Sequence, residues 1–179
     1  MRSHIFNRRQ GFAAVLGLTD GILNSLTLAA GRLIEPDNSL SLSLALRVGV
    51  ASALAGGVVF FAAEVAQRNH ELVHAERQLN LAARGRLATT RLGNFVLRES
   101  SGATLTVIGS NFVGALAPLL MGLMLRAHPW TPIAFAVFLL GGLGILIAHV
   151  TYRSKAYWCG GLMVVGGGLS GLGIWLHIV

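Results

Sequence analysis

The sequence predicts an all-α membrane protein of five transmembrane helices, with a short cytoplasmic amphipathic helix between the second and the third. Three observations carry this. Hydrophobic types make up 54% of the 179 residues and charged types only 12%, about half the charged share of an ordinary soluble domain. Five stretches are long and apolar enough to cross a bilayer, which takes about 20 residues. The basic residues gather on one side of those stretches. A disordered chain, a coiled coil and a soluble globular domain are excluded on the same grounds. One cysteine, Cys159, leaves no disulfide framework and no multi-cysteine zinc ribbon.

The first span is expected over about 11–33 and holds one acid, Asp20. It is too long and too acidic for a cleavable signal peptide, and no small-residue cleavage site follows it. The second is expected over about 42–66, with Arg47 near its start and Glu64 near its end. The third, about 100–125, carries Pro118, expected to kink it. The fourth covers about 132–152 and the fifth about 157–178. The whole chain, 1–179, reads as one transmembrane domain, and 67–99 is its sizeable polar segment.

Within that segment Leu72, Ala75, Leu79 and Ala82 recur at spacings of three and four, the period of an amphipathic helix from Gln67 to about Arg84. Gly85 and Gly93 are expected to break it. Eleven of the 14 basic residues fall on the side of the N-terminal tail, the 67–99 segment and the loop before the fifth span, while Arg32, Arg47 and Arg126 fall on the other. This places the N-terminus in the cytoplasm and the C-terminus outside. The net charge of +7 is then a feature of loops facing anionic lipid, with no nucleic acid implied.

Gly17 and Gly21 are four apart, as are Gly167 and Gly171. Small residues at this spacing let helix backbones approach closely in lipid. They serve either packing inside one chain or a dimer contact.

The ionisable residues inside the spans point to function. Asp20 lies about ten residues into the first span, where a charge costs at least about 2.5–3.5 kcal/mol. Asn24 is one turn on and Thr27 three further, so one face carries a strip of oxygen groups. The bland alternative is an Asp20 hydrogen-bonded to a neighbouring helix. Glu64 either snorkels to the cytoplasmic surface or guards the inner mouth of a cation path. Carboxylates at two depths suit a divalent cation that prefers oxygen ligands. Glu99, at the inner start of the third span, reads as a helix N-terminal charge.

A second constellation lies in the polar segment. His70-Glu71-Leu72-Val73-His74 fits the H-E-x-x-H pattern, in which two histidines on one helical face hold zinc and the glutamate acts as general base. A catalytic zinc needs a third ligand, and Glu76 is too near for the usual arrangement. A non-catalytic metal site using His70, Glu71, His74 and Glu76 is the alternative, and a solvated helix face is the third. The chain is therefore expected not to be an enzyme. A membrane zinc peptidase and a non-transporting scaffold are the competing classes.

Gly17-Leu18-Thr19-Asp20-Gly21, continuing to Leu28-Ala29-Ala30-Gly31, resembles the first-span signature of the vacuolar iron transporter family. Ala62-Ala63-Glu64 is similar to the end of that family's second span, and Gly114-Ala115-Leu116-Ala117-Pro118-Leu119-Leu120 to its third-span Gly-Ala-x-x-Pro-Leu run. The resemblance covers nearly the whole chain. It implies a homodimer in the membrane that moves Fe²⁺ or Mn²⁺ out of the cytoplasm in exchange for protons, with no permanently bound cofactor. It implies a path between two copies of the first helix, Asp20 as mid-membrane ligand, Glu64 near the cytoplasmic entrance, and 67–91 as a metal-collecting segment. Phe60 and Phe61 stand where the family often has a methionine, which removes a soft ligand. Arginine use and small size suggest a bacterial inner membrane.

Overall fold

The computed structural model describes residues 2–32, 42–78, 91–125, 130–151 and 154–175. These form five helices: α1 Arg2–Arg32, α2 Leu42–Gln78, α3 Arg91–Met124, α4 Thr131–Thr151 and α5 Lys155–Trp175. The described residues contain no strand. Among the described residues, four stretches are long and apolar enough to cross a membrane: Gln10–Ala30, Leu42–His74, Phe95–Met124 and Thr131–Ala148. The fifth helix is formed but is not one of these.

The helices are longer than the apolar stretches suggest. α2 does not stop near residue 66 but continues unbroken to Gln78. The expected amphipathic helix is therefore not a separate element over 67–78. The local chemistry explains this. No glycine or proline occurs between Gly57 and Gly85. Pairs four residues apart also support the helix here: Arg68 Nε donates to Glu64 Oε1 at 2.8 Å across the expected boundary, and Gln67 Nε2 to Glu71 Oε1 at 3.3 Å just beyond it. Gly93 breaks nothing, because it lies in the first turn of α3. Gly85 and the 79–90 stretch lie outside the described residues. Pro118 lies inside α3, and the helix continues past it to Met124.

α3 is the floor of the fold. It packs against α1 along one side and α2 along another, while α1 and α2 barely touch each other. α4 and α5 form a second pair, which meets α1 on its other side. Ile22, Leu26 and Ala30 of α1 interlock there with Ala136 and Leu140 of α4, and Leu162 and Leu169 of α5 pack against them. On the outside, Val58, Val59, Leu105, Phe138 and Val164 are all more than two-thirds exposed. Such apolar surface suits lipid and not water.

The α1–α3 crossing depends on three glycines. A Cβ on Gly17 would collide with Ser110 Oγ and the Val107 carbonyl, and one on Gly21 with the Asn111 carbonyl and Ala115 nitrogen. A Cβ on Gly114 would stand 2.6 Å from the Leu18 carbonyl oxygen. The close-approach surface of Gly17 and Gly21 is thus used up inside the chain and does not serve as a dimer contact. Gly167 and Gly171 have nothing within 4 Å.

Candidate functional site: a carboxylate in an open interhelical groove

Because α1 and α2 are both held by α3 and stand apart, a groove runs between them. It is a cleft of about 1030 Å³ lined by Asp20, Asn24 and Thr27 from α1 and by Ser52 and Gly56 from α2, with Val107 of α3 at its base. Its other walls are mostly aliphatic. Asp20 sits at the midpoint of the Gln10–Ala30 span and is exposed to the groove.

A chain of hydrogen bonds ties the polar groups together. Asn111 Nδ2 donates to Asp20 Oδ2 at 2.6 Å. Its side-chain oxygen accepts from Ser52 Oγ at 3.0 Å, and Ser52 Oγ accepts from Asn24 Nδ2 at 2.7 Å. Asn111 is fully buried, so both ends of its amide are committed and its orientation is locked. The sequence expectation of Asp20, Asn24 and Thr27 on one face holds in position. The roles differ. Asn24 presents its nitrogen to Ser52, leaving its oxygen for another partner, and Thr27 Oγ1 donates to the Asn24 backbone carbonyl at 2.9 Å.

Gly56 makes room for this network. A Cβ there would lie 2.7 Å from Asn111 Nδ2 and 2.8 Å from Asp20 Oδ2. The need is for close approach, since any side chain would push the carboxylate and amide apart.

Asn111 and Ser52 are the site residues that sequence reading missed. An asparagine in the middle of a spanning stretch is itself a signal, because an amide in hydrocarbon is costly unless it is bonded. Ser52 carries no such signal, since serines bond their own helix readily.

Toward the other end of α2 lies an ionic cluster. Arg68 Nε meets Glu64 Oε1 at 2.8 Å and Arg68 Nη1 meets Glu99 Oε2 at 2.7 Å. The Arg68 side chain is 9% exposed, against 17% for Glu64 and 21% for Glu99. Glu64 is thus neither a simple snorkelling acid nor a bare mouth residue. Glu99 is not a helix N-terminal charge either, because α3 begins at Arg91 and Glu99 is two turns in. Both carboxylates grip one guanidinium that joins α2 to α3.

His70, Glu71 and His74 project from the exposed end of α2. The two imidazoles do share a face, with ring centroids 6.3 Å apart and tilted by 59°. Glu76 follows on the same helix, and its side chain lies outside the described part of the structure. Among the described residues no three His, Cys, Asp or Glu side chains come together as a metal site. Asp20 and Glu64 line different cavities, Asp20 the large groove and Glu64 a smaller one. Comparison of the chain with family models, with curated proteins and with solved structures finds no match.

Proposed function

We propose that this chain is a divalent transition-metal transporter of the vacuolar iron transporter kind, carrying Fe²⁺ or Mn²⁺ out of the cytoplasm in exchange for protons. The observation that carries the reading is Asp20, a carboxylate at the middle of a span, open to a groove and bonded by a neutral amide. An ionised carboxylate at that depth costs at least about 2.5–3.5 kcal/mol unless a proton or a cation joins it. The groove supplies further oxygen groups suited to a dication: the Asn24 side-chain oxygen and the Ser52 and Thr27 hydroxyls. Competition between proton and metal for one carboxylate is the simplest basis for exchange.

One chain brings a single carboxylate to the groove. A homodimer in which two grooves face each other would bring a second Asp20 and would shield both from lipid. That geometry replaces the Gly17–Gly21 contact as the basis for a dimer. α5 completes a fifth span in this reading, with the N-terminus in the cytoplasm of a bacterial inner membrane and the C-terminus outside. Glu64 and Glu99 lie toward the cytoplasmic end, and His70, Glu71, His74 and Glu76 lie beyond them, where they would collect metal from the cytoplasm.

The test is Mn²⁺ and Fe²⁺ flux into proteoliposomes under an imposed proton gradient. Asp20→Asn keeps the shape and removes the charge, so a monodisperse dimer with little flux is expected. Wild-type flux with unchanged pH dependence in Asp20→Asn would make Asp20 a structural hydrogen-bonding residue. Absence of flux in the wild-type protein for every dication tried would favour a scaffold.

A further inference from the structure

Two cavities meet at one side chain. The ionic cluster borders a small chamber of about 70 Å³, lined by Gln10 and Phe12 of α1, Phe60, Glu64 and Arg68 of α2, and Glu99 of α3. The large groove that holds Asp20 is lined by a different set of residues, but Phe60 belongs to both. The spacing along α2 shows why. Ser52, Gly56, Phe60, Glu64 and Arg68 follow at intervals of four, a row in which each member stacks on the next while the row winds gradually about α2. Ser52 and Gly56 face the Asp20 network, and Glu64 and Arg68 form the ionic cluster. Phe60 is the one apolar member between them, about 6 Å along the axis from each neighbour. It is half-buried.

We propose that Phe60 is the gate between the two compartments: its ring closes the Glu64–Arg68–Glu99 chamber off from the Asp20 groove, and a cation passes only when the ring moves aside. The inference rests on the transport reading. An apolar ring between two polar compartments blocks ions by excluding the water that would accompany them. The charged cluster on one side favours cations, and the carboxylate on the other receives them. Gly56, one turn toward Asp20, has no side chain to restrict the ring on that side.

The experiment measures water access and needs no transport. In a Cys159→Ser background, Ala55→Cys reports from the groove and Gln10→Cys from the chamber. Each protein is reconstituted in vesicles and treated with a membrane-impermeant cationic methanethiosulfonate, applied to either face in turn. From the face that labels Gln10→Cys, Ala55→Cys reacts slowly when Phe60 is present. It reacts roughly tenfold faster with Phe60→Ala, and stays slow with Phe60→Trp. If Phe60→Ala is not monodisperse, Phe60→Leu carries the test with a smaller increase. Equal Ala55→Cys rates with Phe60 and with the smaller residue overturn the gate, as does a Gln10→Cys that labels from neither face. Loss of flux in Asp20→Asn beside equal labelling rates would remove the gate and keep the transporter. A clear labelling contrast in a protein that moves no dication would keep the gate and remove the transporter.

Discussion

Arg68→Leu removes a cation shared by Glu64 and Glu99 while keeping an apolar stem of similar length. The guanidinium makes two charge-assisted contacts, 2.8 Å to Glu64 and 2.7 Å to Glu99, and the second joins α2 to α3 across 31 residues of sequence. Removing one member of a fully buried ion pair costs about 3–5 kcal/mol, because the remaining charge keeps its desolvation penalty. Here the carboxylates are 17% and 21% exposed, so water recovers part of that, and a loss of about 2–3 kcal/mol is expected. Two neighbouring carboxylates also repel once the cation between them is gone. Unfolding in mixed micelles, followed by tryptophan fluorescence, gives the stability. The decisive comparison adds Glu64→Gln and Glu99→Gln to Arg68→Leu. Neutral amides do not require a cation, so the triple variant should recover most of the lost stability. A cost under about 0.5 kcal/mol for Arg68→Leu, or a triple variant no more stable than the single one, would refute the view that this cluster clamps α2 to α3.

Gly21→Val places branched carbons against the Asn111 carbonyl and Ala115 nitrogen, and backbone cannot give way as a side chain does. A loss of about 3 kcal/mol or more is expected in the same assay, whereas Gly102→Ala, with nothing within 4 Å, should be neutral or stabilising by up to about 1 kcal/mol. Asn111→Leu keeps the branching and heavy-atom count of a fully buried side chain, though leucine is the bulkier, and removes the donor to Asp20 Oδ2 and the acceptor for Ser52. A hydrogen bond to a charged group contributes about 1.5–3 kcal/mol, so Mn²⁺ flux at low metal concentration should fall roughly tenfold or more with the protein still folded. Flux equal to wild type would mean that the amide positions nothing.

The elements were legible because lipid imposes a crude rule. A helix must satisfy its own backbone and present about 20 apolar residues, and the apolar windows around Asp20, Phe60, Pro118 and Leu140 obey it. The ends of the helices were not legible by that rule. Hydropathy falls after Ala66, but helix formation does not depend on hydropathy. Arg68 and Gln67 carry α2 onward through their partners at Glu64 and Glu71. Asp20 and Asn24 stood out as costly groups on one face. Asn111 had the same signature on another helix, and only the fold puts its amide 2.6 Å from Asp20.

What the sequence determined by itself was local: which segments are helical, which are greasy, and which buried charges need an explanation. Periodicity and composition act within one segment, so they suffice for that. The tertiary structure decided every pairing between segments. It turned Gly17 and Gly21 toward α3 rather than toward a second chain, gave Arg68 to Glu64 and Glu99 together, and left α1 and α2 apart so that a groove opens onto Asp20. Several helix faces carry small residues, and each could accept a close neighbour. The choice among them is made by how three helices fill space together, which no single stretch of sequence contains.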